Sequence, residues 1–191
     1  MKKFKSKKLF QLRAIAAVSV LIMLSVFCLS GCSKGADTEK SKITVPASEV
    51  MKTMLPKIGD FEAKSEMSYS DAAYSVNFPT LYKGLELSDI TDGAIIYDET
   101  GNTADEISIL VAKDKDSTNT LKEALKQRAL KRASDFGDYK PVEATKAETA
   151  KVVICDRYVM LAIGSDPTTM QKQYQLAMQA YAQENSDEDD N

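Results

Sequence analysis

The sequence predicts an α+β domain: an antiparallel sheet built from two hairpins, with helices packed on one face. Two observations carry this. Apolar stretches flank the turn-forming run Asp98-Glu99-Thr100-Gly101-Asn102, and a second, shorter pair flanks Asp156-Arg157. Each pair is followed by a segment whose apolar residues recur at helical spacing, so the order is strand, strand, helix, strand, strand, helix.

The chain opens with a segment unlike the rest. Lys2, Lys3, Lys5, Lys7, Lys8 and Arg13 precede an apolar run over residues 14–29, and no acid occurs before residue 32. A basic start followed by an apolar stretch is the pattern of a secretory signal peptide, here residues 1–31. Leu29, Ser30, Gly31 and Cys32 match a lipobox, in which the cysteine thiol becomes a diacylglyceryl thioether before cleavage in front of it. Cys32 is the expected lipidation site, with acyl chains such as palmitate as the anchor. The competing reading is an uncleaved membrane helix, which needs roughly 20 apolar residues. The run of residues 14–29 falls short of that. At roughly 0.8 kcal/mol per buried methylene, two or three acyl chains make release negligible.

Cleavage changes the composition. Of 191 residues 160 remain, enough for one domain and too few for the two lobes of a typical solute receptor. Six of the 25 basic residues leave with the signal, so 19 face 28 acids, a net charge of −9. That balance excludes nucleic acid as a partner, because phosphate neutralisation needs clustered Lys and Arg. It also repels anionic head groups within a Debye length, roughly 8 Å at physiological salt, so the domain is expected to stand off the membrane on its tether.

The cysteines close a further question. Cys28 leaves with the signal and Cys32 is consumed by lipid, so Cys155 has no partner for an intramolecular disulfide. It follows Val152-Val153-Ile154 and reads as a small strand hydrophobe rather than a reactive thiol. The chain has no histidine, which excludes a cysteine–histidine nucleophile pair.

Residues 32–46 read as a lipidated N-terminus and flexible tether, and residues 47–183 as the domain. Ser48 is the expected N-cap of a first helix that sets Val50, Met51, Met54 and Ile58 on one side and ends at Pro56 and Gly59. Within residues 61–92, Tyr69, Tyr74, Val76 and Phe78 suggest strand or irregular structure, with a helical turn over residues 79–87. The first hairpin pairs Ala94-Ile95-Ile96-Tyr97 with Glu106–Ala112, in which Ile107, Ile109 and Val111 alternate with Glu106, Ser108 and Leu110. That alternation predicts a sheet covered on one side. Thr120 and Glu123 predict a capping box for a helix to Ser134, with Leu121, Ala124, Leu125, Arg128 and Arg132 on one stripe. Lys151–Cys155 and Tyr158–Ile163 form the second hairpin. Asp166 and Pro167 then start a last helix bearing Met170, Tyr174, Ala177, Met178 and Tyr181, a stripe that core packing explains more simply than ligand binding. Residues 184–191 read as an acidic disordered tail.

The lipobox, Tyr82-Lys83-Gly84-Leu85, Ala104-Asp105-Glu106-Ile107, Arg128, Tyr139-Lys140-Pro141 and Tyr158-Val159, in this order and spacing, resemble the lipoproteins bearing domain of unknown function 4358. The resemblance covers most of residues 50–180. It implies a small extracytoplasmic lipoprotein of a Clostridia-like Gram-positive bacterium, and it brings no activity, ligand or catalytic residue.

Chemistry is hard to place on this chain. Asp105 and Glu106 are neighbours on a strand and point to opposite faces, so they do not form an acid–base pair. Glu106 is instead expected to reach Arg128 across the sheet–helix contact as a structural ion pair, an expectation that fails if their charged groups lie beyond about 6 Å. Asp114-Lys115-Asp116-Ser117-Thr118 resembles a calcium loop only faintly, with Asn119 at the glycine position and Leu125 in place of the final glutamate. No metal and no cofactor is expected. The expected function is a non-enzymatic interaction module, lipid-anchored at the extracytoplasmic face of the cell membrane and contacting an envelope protein or the cell wall. The alternatives are a small-ligand-binding lipoprotein accessory to a transporter, marked by an apolar pocket, and an unrecognised hydrolase, marked by clustered perturbed carboxylates.

Overall fold

The computed structural model describes residues 43–188, with side-chain surroundings through residue 184. The expected signal peptide, the lipobox with Cys32 and most of the tether lie outside the described residues. The chain runs α1 (Ala47–Met54), β1 (Ser65–Ser68), α2 (Ala72–Leu81), β2 (Ile90–Tyr97), β3 (Glu106–Ala112), α3 (Ser117–Gly137), α4 (Pro141–Glu148), β4 (Lys151–Cys155), β5 (Tyr158–Ile163) and α5 (Pro167–Glu188). The five strands form one antiparallel sheet in the order β1-β2-β3-β5-β4, so the fold is α+β.

Both expected hairpins are present, β2–β3 and β4–β5, and the latter turns through Asp156 at φ 54°. The helices, however, cover both faces of the sheet rather than one. Ala94, Ile96, Ile107, Ile109, Val111, Tyr158, Met160 and Ala162 pack with α1 and α5. Ile95, Leu110, Val159, Leu161 and Ile163 pack with α2, α3 and α4. Every residue of β3 and β5 is therefore buried. The alternation in β3 suggested a solvated face because Glu106 and Ser108 lie on it, yet both are fully buried against polar groups of α2's C-terminal end and α3.

The domain begins before the boundary read from sequence. Ile43 is buried, and the Tyr158 hydroxyl donates to the Val45 carbonyl at 2.6 Å, which ties the entering chain to β5. Pro46, not Ser48, precedes α1, whose first N–H, that of Ala47, donates to the Asp92 carboxylate at 2.7 Å. A carboxylate at this end offsets the partial positive charge of the helix N-terminus. Residues 72–81 form a helix where strand or irregular structure was expected up to Phe78 and a helical turn only from Pro79, with the rings of Tyr74, Phe78 and Tyr82 in contact at four-residue spacing against the sheet. β1 and α4 were not foreseen. α3 starts at Ser117, because Asp114 accepts hydrogen bonds from both the N–H and the hydroxyl of Ser117, and Thr120 lies inside the helix. Asp166 caps α5 through the Thr169 N–H, as the sequence predicts, and the helix continues to Glu188 into the segment read as tail. Among the described residues, no helix is long and apolar enough to cross a membrane.

Candidate functional site

A buried polar cluster lies between β3 and α3. Strand alternation places Glu106 and Ser108 on the sheet face that α3 covers, and helical spacing places Arg128 and Arg132 one turn apart on the opposing stripe. Glu106 and Arg128 meet there in a bidentate pair. Arg128 Nε donates to both Glu106 oxygens, at 3.1 and 2.9 Å, and Nη2 donates to Oε2 at 2.7 Å. Two parallel N–H donors on one carboxylate fix helix against sheet in angle as well as distance.

Three further groups complete the cluster. The Tyr82 hydroxyl donates to Glu106 Oε1 at 3.1 Å and lies against the Ser108 hydroxyl. Arg132 Nε stands 3.8 Å from Glu106 Oε2, while its Nη2 donates to the Thr103 carbonyl at 2.9 Å and its guanidinium lies over the Phe136 ring. Asp98 shapes the β2–β3 loop that presents Thr103, accepting from the Thr100 N–H and hydroxyl and from the Thr103 N–H. Burial pulls the Asp98 carboxyl upward, but these hydrogen bonds outweigh it and hold the group below its usual range.

The electrostatics follow from burial. Burial opposes the charge on both arginines. Arg128 is nonetheless held above its ordinary value by the Glu106 carboxylate it binds. Arg132 falls below its ordinary value, because burial is joined by repulsion from Arg128 and Glu106 compensates less at the longer distance. Burial and the adjacent Glu106 charge push the Tyr82 phenol well up, so it stays a donor.

Asp105, the neighbour of Glu106, takes different partners. It accepts from the Glu62 N–H at 2.9 Å and from Lys146 Nζ at 3.1 Å, and Lys146 also pairs with Glu143, whose other oxygen accepts the Ala104 N–H. These contacts pin α4 and the loop after α1 to the end of the sheet. Asp105 and Glu106 share no partner, so two adjacent acids serve two separate joints.

A proton-transfer role needs a carboxylate that can reach substrate. Glu106 is 0% exposed and both of its oxygens are occupied by donors. Among the described residues, no three Cys, Asp or Glu side chains gather as a metal ion requires, and Asp114 caps α3. Cys155 is half-buried on β4. Met170, Tyr174 and Met178 are buried in the core against α1 and the sheet, and Tyr181 packs at its margin. A hollow beside β1 is lined by Met51, Lys52, Leu55, Glu66 and Met67. Sequence reasoning found Glu106 and Arg128 but not the roles of Tyr82 and Ser108. The signal for Tyr82 was available in its four-residue spacing from Phe78 and Tyr74.

No curated protein and no solved structure matches the chain. The family described as Domain of unknown function (DUF4358) matches residues 70–164, a shorter span than the resemblance in the sequence suggested. That span holds α2 to β5 together with Tyr82, Glu106, Ser108, Arg128 and Arg132, so the sheet–helix ion-pair cluster lies within the stretch that is similar to DUF4358.

Proposed function

We propose that this chain is a lipid-anchored module of the bacterial cell envelope, tethered through Cys32 at the extracytoplasmic face of the membrane, whose domain binds a partner rather than transforming a substrate. The observation that carries the binding reading is the closed state of the Glu106–Arg128 cluster. The buried Glu106–Arg128 pair fastens α3 to β3 and presents no acid or base to solvent. Large apolar side chains stand exposed instead, among them Val76, Leu130, Tyr139 and Val142 on the helices of one face and the loop between them. Exposed apolar side chains that adjoin one another mark contact with another protein, and Tyr139 and Val142, three residues apart, are the ones this reading assigns to it. The anchor rests on Leu29-Ser30-Gly31-Cys32 at the end of the apolar run.

In-cell crosslinking followed by mass spectrometry of the membrane fraction tests this reading. It predicts a reproducible envelope protein attached to the wild type, lost when Val142→Asp and Tyr139→Asp are introduced together. Crosslinks unchanged by that double substitution contradict the assignment of this surface. A low-molecular-weight compound that copurifies stoichiometrically with the domain would favour the transporter-accessory reading.

A further inference from the structure

We propose that β4 is a self-association edge, through which two copies of this chain join their sheets into one continuous antiparallel sheet. The two open edges of the sheet differ in chemistry. β1 is four residues long and reads Ser-Glu-Met-Ser, with a charge on the strand, the usual way an edge is kept from pairing. β4 reads Lys-Val-Val-Ile-Cys, and its last four residues are half-buried. No charge interrupts Val152, Val153 and Ile154.

The hairpin geometry fixes which backbone groups face outward. A two-residue turn at Asp156-Arg157 makes Cys155 and Tyr158 a hydrogen-bonded pair, so Val153 and Lys151 also bond β5. The N–H and C=O of Val152 and Ile154 therefore point away from the sheet, and neither residue has another backbone hydrogen bond among the described residues. Such an edge is a template for an added strand.

A second copy fits it best. When β4 meets its own image about a two-fold axis at Val153, Val152 of each copy stands opposite Ile154 of the other, and both outward pairs exchange their bonds at once. The same register sets Lys151 of each copy opposite Cys155 of the other, next to Asp156, and keeps the two Lys151 charges apart. Parallel pairing would set Lys151 against Lys151. Residues 33–42 offer a poorer strand, since Ala36 is their only apolar side chain. The inference rests on β4 alone and holds whether or not Cys32 carries lipid.

Sedimentation of the full chain in detergent, together with disulfide trapping, tests it. Ile154→Pro removes an outward N–H without touching the β4–β5 ladder. The wild type is expected at twice the mass of one chain and Ile154→Pro at half that value. Val153→Cys in a background with Cys28, Cys32 and Cys155 all replaced by Ala places the two sulfurs together at the axis and is expected to give a disulfide-linked dimer on oxidation, whereas the cysteine-free background alone gives none. A wild type at single-chain mass overturns the proposal. So does a dimer that survives Ile154→Pro while Val153→Cys fails to crosslink.

Discussion

Tyr74 sets its hydroxyl in the space that a side chain on residue 93 would occupy, so α2 lies against β2 because that strand carries Gly93. The ring carbon Cζ would also stand only 3.0 Å from an added Cβ. Gly93→Ala is therefore expected to destabilise the domain by about 1–3 kcal/mol through overpacking. Tyr74→Phe in the same chain should recover part of that loss. Alone, Tyr74→Phe should be close to neutral, because its hydroxyl is buried without a hydrogen-bond partner among the described residues. Denaturant midpoints of the four chains form a double-mutant cycle, and strict additivity would rule out the contact as the cause.

The Glu106–Arg128 pair makes a contrasting prediction. Glu106→Gln leaves a buried guanidinium without its counter-charge, a change that costs about 3–5 kcal/mol. Replacing both partners with apolar residues, Glu106→Leu with Arg128→Met, removes the Arg128 charge along with the pair, leaves only the more distant Arg132 without its counter-charge, and should cost less than Glu106→Gln alone. Thermal unfolding of the single and double variants checks the order. A double variant less stable than Glu106→Gln would mean that the pair contributes more than its own desolvation takes away.

Alkaline pH should unfold the domain through its tyrosines. Burial raises the phenols of Tyr74, Tyr82 and Tyr174 above their ordinary value of 10.0 and pushes that of Tyr158 up to about 12. Above pH 10 the unfolded chain loses these protons while the folded chain keeps them. The unfolded state then binds fewer protons, and stability falls as pH rises. The contribution is complete below pH 10 and is lost as pH rises through the folded values, for Tyr158 between 10.0 and about 12. The tyrosinate absorbance of these four of the eight tyrosines should rise together with the loss of circular dichroism. The full absorbance of eight tyrosinates with the fold intact would contradict the burial of these rings.

The hairpins were legible because local signals specify them: turn residues between short apolar runs define strands wherever the sheet ends up. The covering of the second face was not, because Glu106 and Ser108 are polar and a single strand does not reveal that Arg128 and Tyr82 neutralise them from other elements. The helix over residues 72–81 was obscured by Pro79 inside it and by Val76 on its exposed side, although Tyr74 and Phe78 already show helical spacing. The Glu106–Arg128 contact could be anticipated since an arginine beside an apolar helical stripe needs an acid, and β3 carries one on the face toward it. Tyr82 shares the four-residue spacing of Tyr74 and Phe78, but its pairing with Glu106, 24 residues on, is set by tertiary packing.

Metabolic labelling with a clickable fatty acid tests the lipid anchor proposed at Cys32. Wild type and Cys32→Ala are expressed side by side and the label on the purified chain is read. Label is expected on the wild type and none on Cys32→Ala. Label retained by Cys32→Ala, or absent from the wild type, would contradict the anchor.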